Sequence, residues 1–157
     1  MIIPKAHYSV IEGFVDVLDH LGGKSDLASI ALRQGLEIDD LLPIIDAGEM
    51  LGLIKVQSGD VILTEKGHLF IAASTKGRKR MLREIIVNLD PFKKFANYLK
   101  QNGRQKISKE DTLEFISKEN PSSDAISDFN WFIEWGRQGL ILKYDADSEI
   151  IRLRGKN

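Results

Sequence analysis

The sequence predicts a mainly helical α+β fold with two small β-hairpins, and three observations carry that prediction. Apolar residues recur at helical spacing over most of the 157 residues. Two segments, residues 53–64 and 139–153, instead alternate apolar and polar residues around short turns. Each of these segments follows a predicted helix, in the order helix, short helix, helix, hairpin in the first case.

Taken in order, Val10, Phe14, Val17, Leu18 and Leu21 lie at three- and four-residue spacing and predict a helix from Tyr8, ended by Gly22-Gly23. Ser25 or Asp26 caps a short helix over Leu27–Gln34, Gly35 breaks it, and Asp39 caps a third running through Leu51. Leu53–Gln57 and Val61–Thr64 then form a hairpin across Ser58-Gly59-Asp60. Thr64 caps a helix through Ala73, and Gly77 interrupts before a helix over Arg78–Leu89. Pro91, at a tolerated first-turn position, opens a helix to about Gln101. Ser108 with Asp111 three residues on resembles a capping box before Thr112–Ser117. A long helix then runs from Pro121-Ser122-Ser123 to about Gln138, and strands over Gly139–Tyr144 and Glu149–Leu153 form the second hairpin.

The two halves repeat. Gly52-Leu53-Ile54 recurs as Gly139-Leu140-Ile141, 87 residues later, and each copy joins a helix to a hairpin. Each hairpin is followed by a basic residue and glycine, Lys66-Gly67 and Arg154-Gly155. Gly52 and Gly139 stand where a positive φ is expected, so valine at either would be costly. The order of elements is that of a winged helix, a helix-turn-helix with a β-hairpin appended. The expected organisation is a first winged-helix unit over residues 1–75, a basic helical linker over 76–90 and a second unit over 91–157.

Composition narrows the function. A chain of this length buries roughly 70% of its unfolded surface, and 43% apolar with 29% charged residues is ordinary for a globular protein. No apolar run approaches the roughly 20 residues needed to span a bilayer, and Met1–Tyr8 lacks the apolar core of a signal peptide. Zero cysteine excludes disulfides and thiolate chemistry and fits a cytoplasmic setting. The phosphate-binding pattern GxxxxGK[ST] is absent. His7, His20 and His68 fall in separate elements without metal-ligand spacing, and no cofactor is implied. Asp145-x-Asp147-x-Glu149 lacks the glycine and the distal glutamate of a calcium loop. No nucleophile elbow accompanies the serines. A non-enzymatic chain is expected.

The net charge of −1 hides a polarised distribution: −6 over residues 1–75, +9 over 76–109 and −4 over 110–157. Lys76, Arg78, Lys79, Arg80 and Arg83 form a candidate basic surface. That charge either satisfies the acidic flanks internally or steers an acidic partner, an acidic membrane surface or nucleic acid. Sequence-specific DNA reading is not expected of the first unit. Ile38, Leu41, Leu42, Ile44, Ile45, Ala47 and Leu51 claim a core-facing arc of its third helix, leaving Asp39, Pro43, Asp46 and Met50 outward. In the last long helix, Ala125, Ile126, Phe129, Phe132 and Ile133 share the predicted core arc. Trp131 and Trp135 fall on the other side beside Asp124 and Asp128, a candidate protein-interaction face for another domain or a second copy of the chain.

The sequence also resembles the AAA-associated C-terminal domain found on ATPase subunits of ABC importers of the nitrate/sulfonate/taurine type. The resemblance rests on Leu21–Leu27, on Leu36–Pro43, on Leu51-Gly52-Leu53, on Gly59–Thr64 with Gly67, and on Ile133–Arg137 with Tyr144–Asp147. It implies a cytoplasmic accessory or regulatory module, at the inner face of the membrane, whose partner is an ABC ATPase domain or another transporter subunit. The family's ATPase domain has no counterpart within these residues, so the chain is expected to act as a free module or as a piece of a longer protein. The alternative is a winged-helix transcription regulator that binds DNA through the basic linker and second unit.

Overall fold

The computed structural model describes residues 3–154. These fold into eight helices and two three-stranded antiparallel sheets. The chain divides into two compact units, Pro4–Met81 and a second that begins at Leu82 and takes in Ile3.

The first unit runs α1 (Tyr8–His20), β1 (Lys24–Asp26), α2 (Leu27–Gln34), α3 (Ile38–Met50), β2 (Ile54–Gln57), β3 (Asp60–Leu63) and α4 (Glu65–Ala72). The strand order is β1-β3-β2, so the short strand before α2 pairs with the far arm of the hairpin. Ser58 and Gly59 take φ of 53° and 81° at the hairpin turn, the left-handed pair that matches strand twist. Its core is built by Ile11, Phe14, Val15 and Leu18 of α1 with Leu41, Ile45, Ile54, Val61 and Phe70. The Asp26 carboxylate accepts the Ser29 amide at 3.1 Å, which starts α2.

After α5 (Thr75–Val87), which spans the division between the units, the same order returns. It comprises α6 (Asp90–Gln101), β4 (Lys106–Ser108), α7 (Lys109–Glu119), α8 (Ala125–Gln138), β5 (Leu142–Asp145) and β6 (Ile150–Leu153). The strand order is β4-β6-β5. Phe92 stacks on Phe132 at 4.8 Å, and Phe95 meets Phe132 edge-on at 4.9 Å, contacts each worth about 0.5–1.5 kcal/mol beyond burial. Ser108 accepts the Asp111 amide at 3.0 Å and starts α7, as Asp26 starts α2.

The repeat is reproduced down to single hydrogen bonds. Gly23 N–H to Leu18 O in the first unit answers Arg104 N–H to Leu99 O in the second, both at 2.9 Å. Leu53 N–H donates to Gly48 O, and Ile141 N–H donates to Gly136 O. The second of these pairs places the copies 88 residues apart at the joint between the third helix and the hairpin, not 87. The GLI tripeptides are therefore one residue out of structural register. Gly52 does take a positive φ, 74°, but the matching position is Leu140, at 54°. Gly139 has an ordinary φ of −82°. It is constrained by contact instead, since a Cβ there would lie 2.8 Å from the Ile86 side chain. Gly155 lies outside the described residues.

Four other elements differ from expectation. β1 and β4 are strands of three residues, too short to show alternation. Gly77 does not interrupt a helix: Ser74 accepts its amide at 3.1 Å, and α5 begins before it. Ile38 and Leu42, assigned to the core, are exposed on α3.

Candidate functional site

The proposed interaction face of α8 is not an open face. Trp135 is fully buried, Trp131 is half-buried, and Asp128 is buried, accepting from the Asn120 side-chain amide at 3.3 Å. Asp124 is exposed but committed to its helix, its Oδ1 accepting the amides of Ile126 and Ser127 at 3.1 and 3.2 Å. Ile126, expected in the core, is 63% exposed. The physical reason is one of phase. Buried residues Trp135, Asp128, Phe132, Gly136, Phe129 and Ile133 cover a continuous arc of about 160°. Gly136 lies near its centre, where a Cβ would meet Leu142 at 2.5 Å. A glycine at the midpoint of an apolar arc was the available signal.

The basic segment on α5 separates into two parts. Lys76, Lys79 and Arg80 are exposed, with Arg83 half-buried. Arg78 is something else. One guanidinium nitrogen pairs with Glu12 at 3.1 Å and another with Asp16 at 3.3 Å, while further N–H groups donate to Phe70 O and Ile71 O, both at 3.1 Å. The guanidinium also lies over the Phe70 ring, 5.0 Å from its centroid. It thus joins α5 to α1 and neutralises the carbonyl end of α4, where a cation is favoured. Tyr8 donates to the same Glu12 carboxylate at 2.9 Å; burial first, and then this hydrogen bond, push its phenol well above the ordinary value.

Arg78 and Arg80, two residues apart, are expected to behave oppositely. Arg78→Ala should cost about 2–3 kcal/mol, because it strands two carboxylates and two helix-end carbonyls. Arg80→Ala should fall within about 0.5 kcal/mol of the parent. Urea unfolding of both variants decides the matter; equal effects would mean that Arg78 is an ordinary surface cation.

A further surface went unread in the sequence. Around the α2–α3 turn, Leu32 is 84% exposed, and Leu36, Ile38 and Leu42 are exposed as well. On α3 the same outward side carries Asp39, Asp46 and Glu49, all exposed. This apolar and acidic surface opposes phosphate and suits a partner that offers apolar and basic side chains. Helical periodicity hid it, since Ile38 and Leu42 fit an amphipathic pattern as well as Leu41 and Ile45 do.

Among the described residues, no group of three or more His, Cys, Asp or Glu could hold a metal ion. Within the same residues, no helix is long and apolar enough to cross a membrane. The model of one family, described as the C-terminal AAA-associated domain, matches residues 28–145 and so takes in parts of both units. That family is an accessory domain of ATPases rather than a catalytic ATPase domain. No curated protein and no solved structure matches the chain.

Proposed function

Since the chain belongs to the C-terminal AAA-associated domain family, we propose that it is a non-catalytic regulatory module for the ATPase subunit of an ABC importer of the nitrate/sulfonate/taurine type. The family match across both units is the observation that carries this reading. In it, two winged-helix units joined by a basic helix act at the cytoplasmic face of a membrane. The module docks on the ATPase and changes the rate at which that enzyme turns over. The docking surface in this reading is the apolar and acidic α2–α3 face, centred on Leu32, Ile38 and Leu42. Exposed leucines beside carboxylates favour a protein partner over a phosphate backbone.

The test is reconstitution with an ATP-hydrolysing importer subunit from the same cell. The chain should co-elute with that subunit and change its rate of ATP hydrolysis. Leu32→Asp with Leu42→Asp should remove both effects without lowering the melting temperature. An ATPase rate indifferent to the wild-type chain would reject the regulatory role. Protection of a discrete DNA site with Kd about 10⁻⁸ M or tighter at physiological salt would favour a transcription regulator instead.

A further inference from the structure

The two sheets share a topology but not a charge. In the second, Lys106 of β4 stands opposite Arg152 of β6, and Arg152 in turn stands opposite Lys143 of β5. Three cations therefore form one cross-strand row. The row lies on the outward face, since its neighbours Ile107 and Ile151 are buried while all three cations are exposed. Like charges directly opposite one another destabilise a sheet. Among the described residues, none of the three has an ion-pair partner. The nearest carboxylate in the next row, Asp145, faces its own turn. It is held below the ordinary carboxylate range chiefly by Ser148 and by the amides of residues 147 and 148, with Arg152 adding to the effect.

The fold does not require this arrangement. In the first sheet the matching row is Lys24, Ile62 and Lys55, with isoleucine where the second has Arg152. There Lys24 is also relieved by Asp60 at 3.5 Å. The second unit has an additional cation where the first has an apolar centre, and its row has no ion pair among the described residues.

Beside the row, at the free edge of β4, lies a cleft of about 730 Å³. Arg104, Lys106 and Arg152 line it together with Gln105, Ser108 and the turn at Gly103, and among the described residues no carboxylate lines it. Arg104 is held only loosely by Asp111, at 3.7 Å. A volume of this size exceeds a single phosphate and falls within the range of small-molecule sites. Two guanidinium forks and an ammonium match clustered phosphate oxygens.

We propose that the β4 edge of the second sheet binds a compact anion bearing several phosphate groups, held between Arg104, Lys106 and Arg152. The ligand relieves the repulsion within the row, so binding also stiffens the sheet.

Inorganic tripolyphosphate is the probe, titrated into the full chain by calorimetry and by amide NMR, with sulfate at matched ionic strength as control. The expected result is saturable one-site binding, with shifts concentrated at residues 103–108 and 150–152 and a raised melting temperature. Arg152→Ile, which installs the residue of the first sheet, should weaken binding at least tenfold. It should leave the melting temperature of the unliganded chain unchanged or higher, so that a loss of binding is not a loss of fold. Unsaturable binding, equal binding of sulfate, unaltered binding by Arg152→Ile, or shifts centred on the α5 lysines would each overturn the proposal. A vesicle arm separates sources of the phosphate. Binding to phosphoinositide vesicles that tripolyphosphate displaces supports the site with a lipid headgroup as ligand, whereas tripolyphosphate binding alone supports it with a soluble one.

Discussion

Gly67→Ala is expected to destabilise the first unit by about 3 kcal/mol or more, a large part of the 5–15 kcal/mol that holds a typical domain together. A Cβ at Gly67 would overlap the carbonyl oxygen of Leu53. That oxygen cannot simply withdraw, because it accepts the Thr64 amide at 3.0 Å where the hairpin returns to α4. Nor can α4 easily shift. Thr64 accepts the Gly67 amide at 2.9 Å and donates to Gly52 O at 2.6 Å, so one hydroxyl fixes both sides of the approach. Gly13→Ala is the matched control: it too is a helical glycine, but among the described residues no atom beyond its own turn of helix lies within 4 Å of its added methyl. That change should be neutral or stabilising by up to about 1 kcal/mol. Urea midpoints for the pair give the answer, and a Gly67→Ala midpoint equal to the parent's would show that the approach is looser than described.

The second large effect concerns the tryptophans of α8. Trp135→Ala should cost about 3–5 kcal/mol, since it empties a fully buried indole site. Trp131→Ala, from a half-buried position, should cost about 1 kcal/mol. Thermal melts of the single variants distinguish the two. Small and equal losses would return both rings to the surface and revive an interaction face on this helix.

What the sequence disclosed, and what it hid, follows from how each signal arises. Helices showed themselves through three- and four-residue spacing, and the hairpins through alternation around Ser58-Gly59 and Asp145–Ser148. The mixed helical and β class was legible for the same reason. The three-residue strands β1 and β4 were not, because their pairing with β3 and β6 is non-local. On α8 Phe129, Phe132 and Ile133 were assigned to the core correctly but the phase of the arc was not; Asp128 looked like a surface residue, yet it is buried and accepts from Asn120, eight residues away. Arg78 read as one more cation in a basic run. Only folding brings Glu12 and Asp16, more than sixty positions earlier, against it. The outward leucines of α2 and α3 obey the same periodicity as core leucines, so periodicity could not tell them apart.

The one-residue offset between the repeated tripeptides and the repeated hydrogen bonds limits how the halves of this molecule can be exchanged. A designer splicing the second hairpin onto the first helix-turn-helix by matching GLI to GLI would set Ile141 where Leu142 belongs. Side chains in a strand alternate between faces, so that single slip would move the Leu142 side chain from the buried place of Ile54 to the exposed place of Lys55. Spliced instead at Gly136 for Gly48, with Leu140 for Gly52, the parts are interchangeable in outline, and the left-handed joint is supplied by leucine rather than glycine. For this chain, the unit of modular exchange is the bonded joint between helix and strand, not the string of identical letters that advertises it.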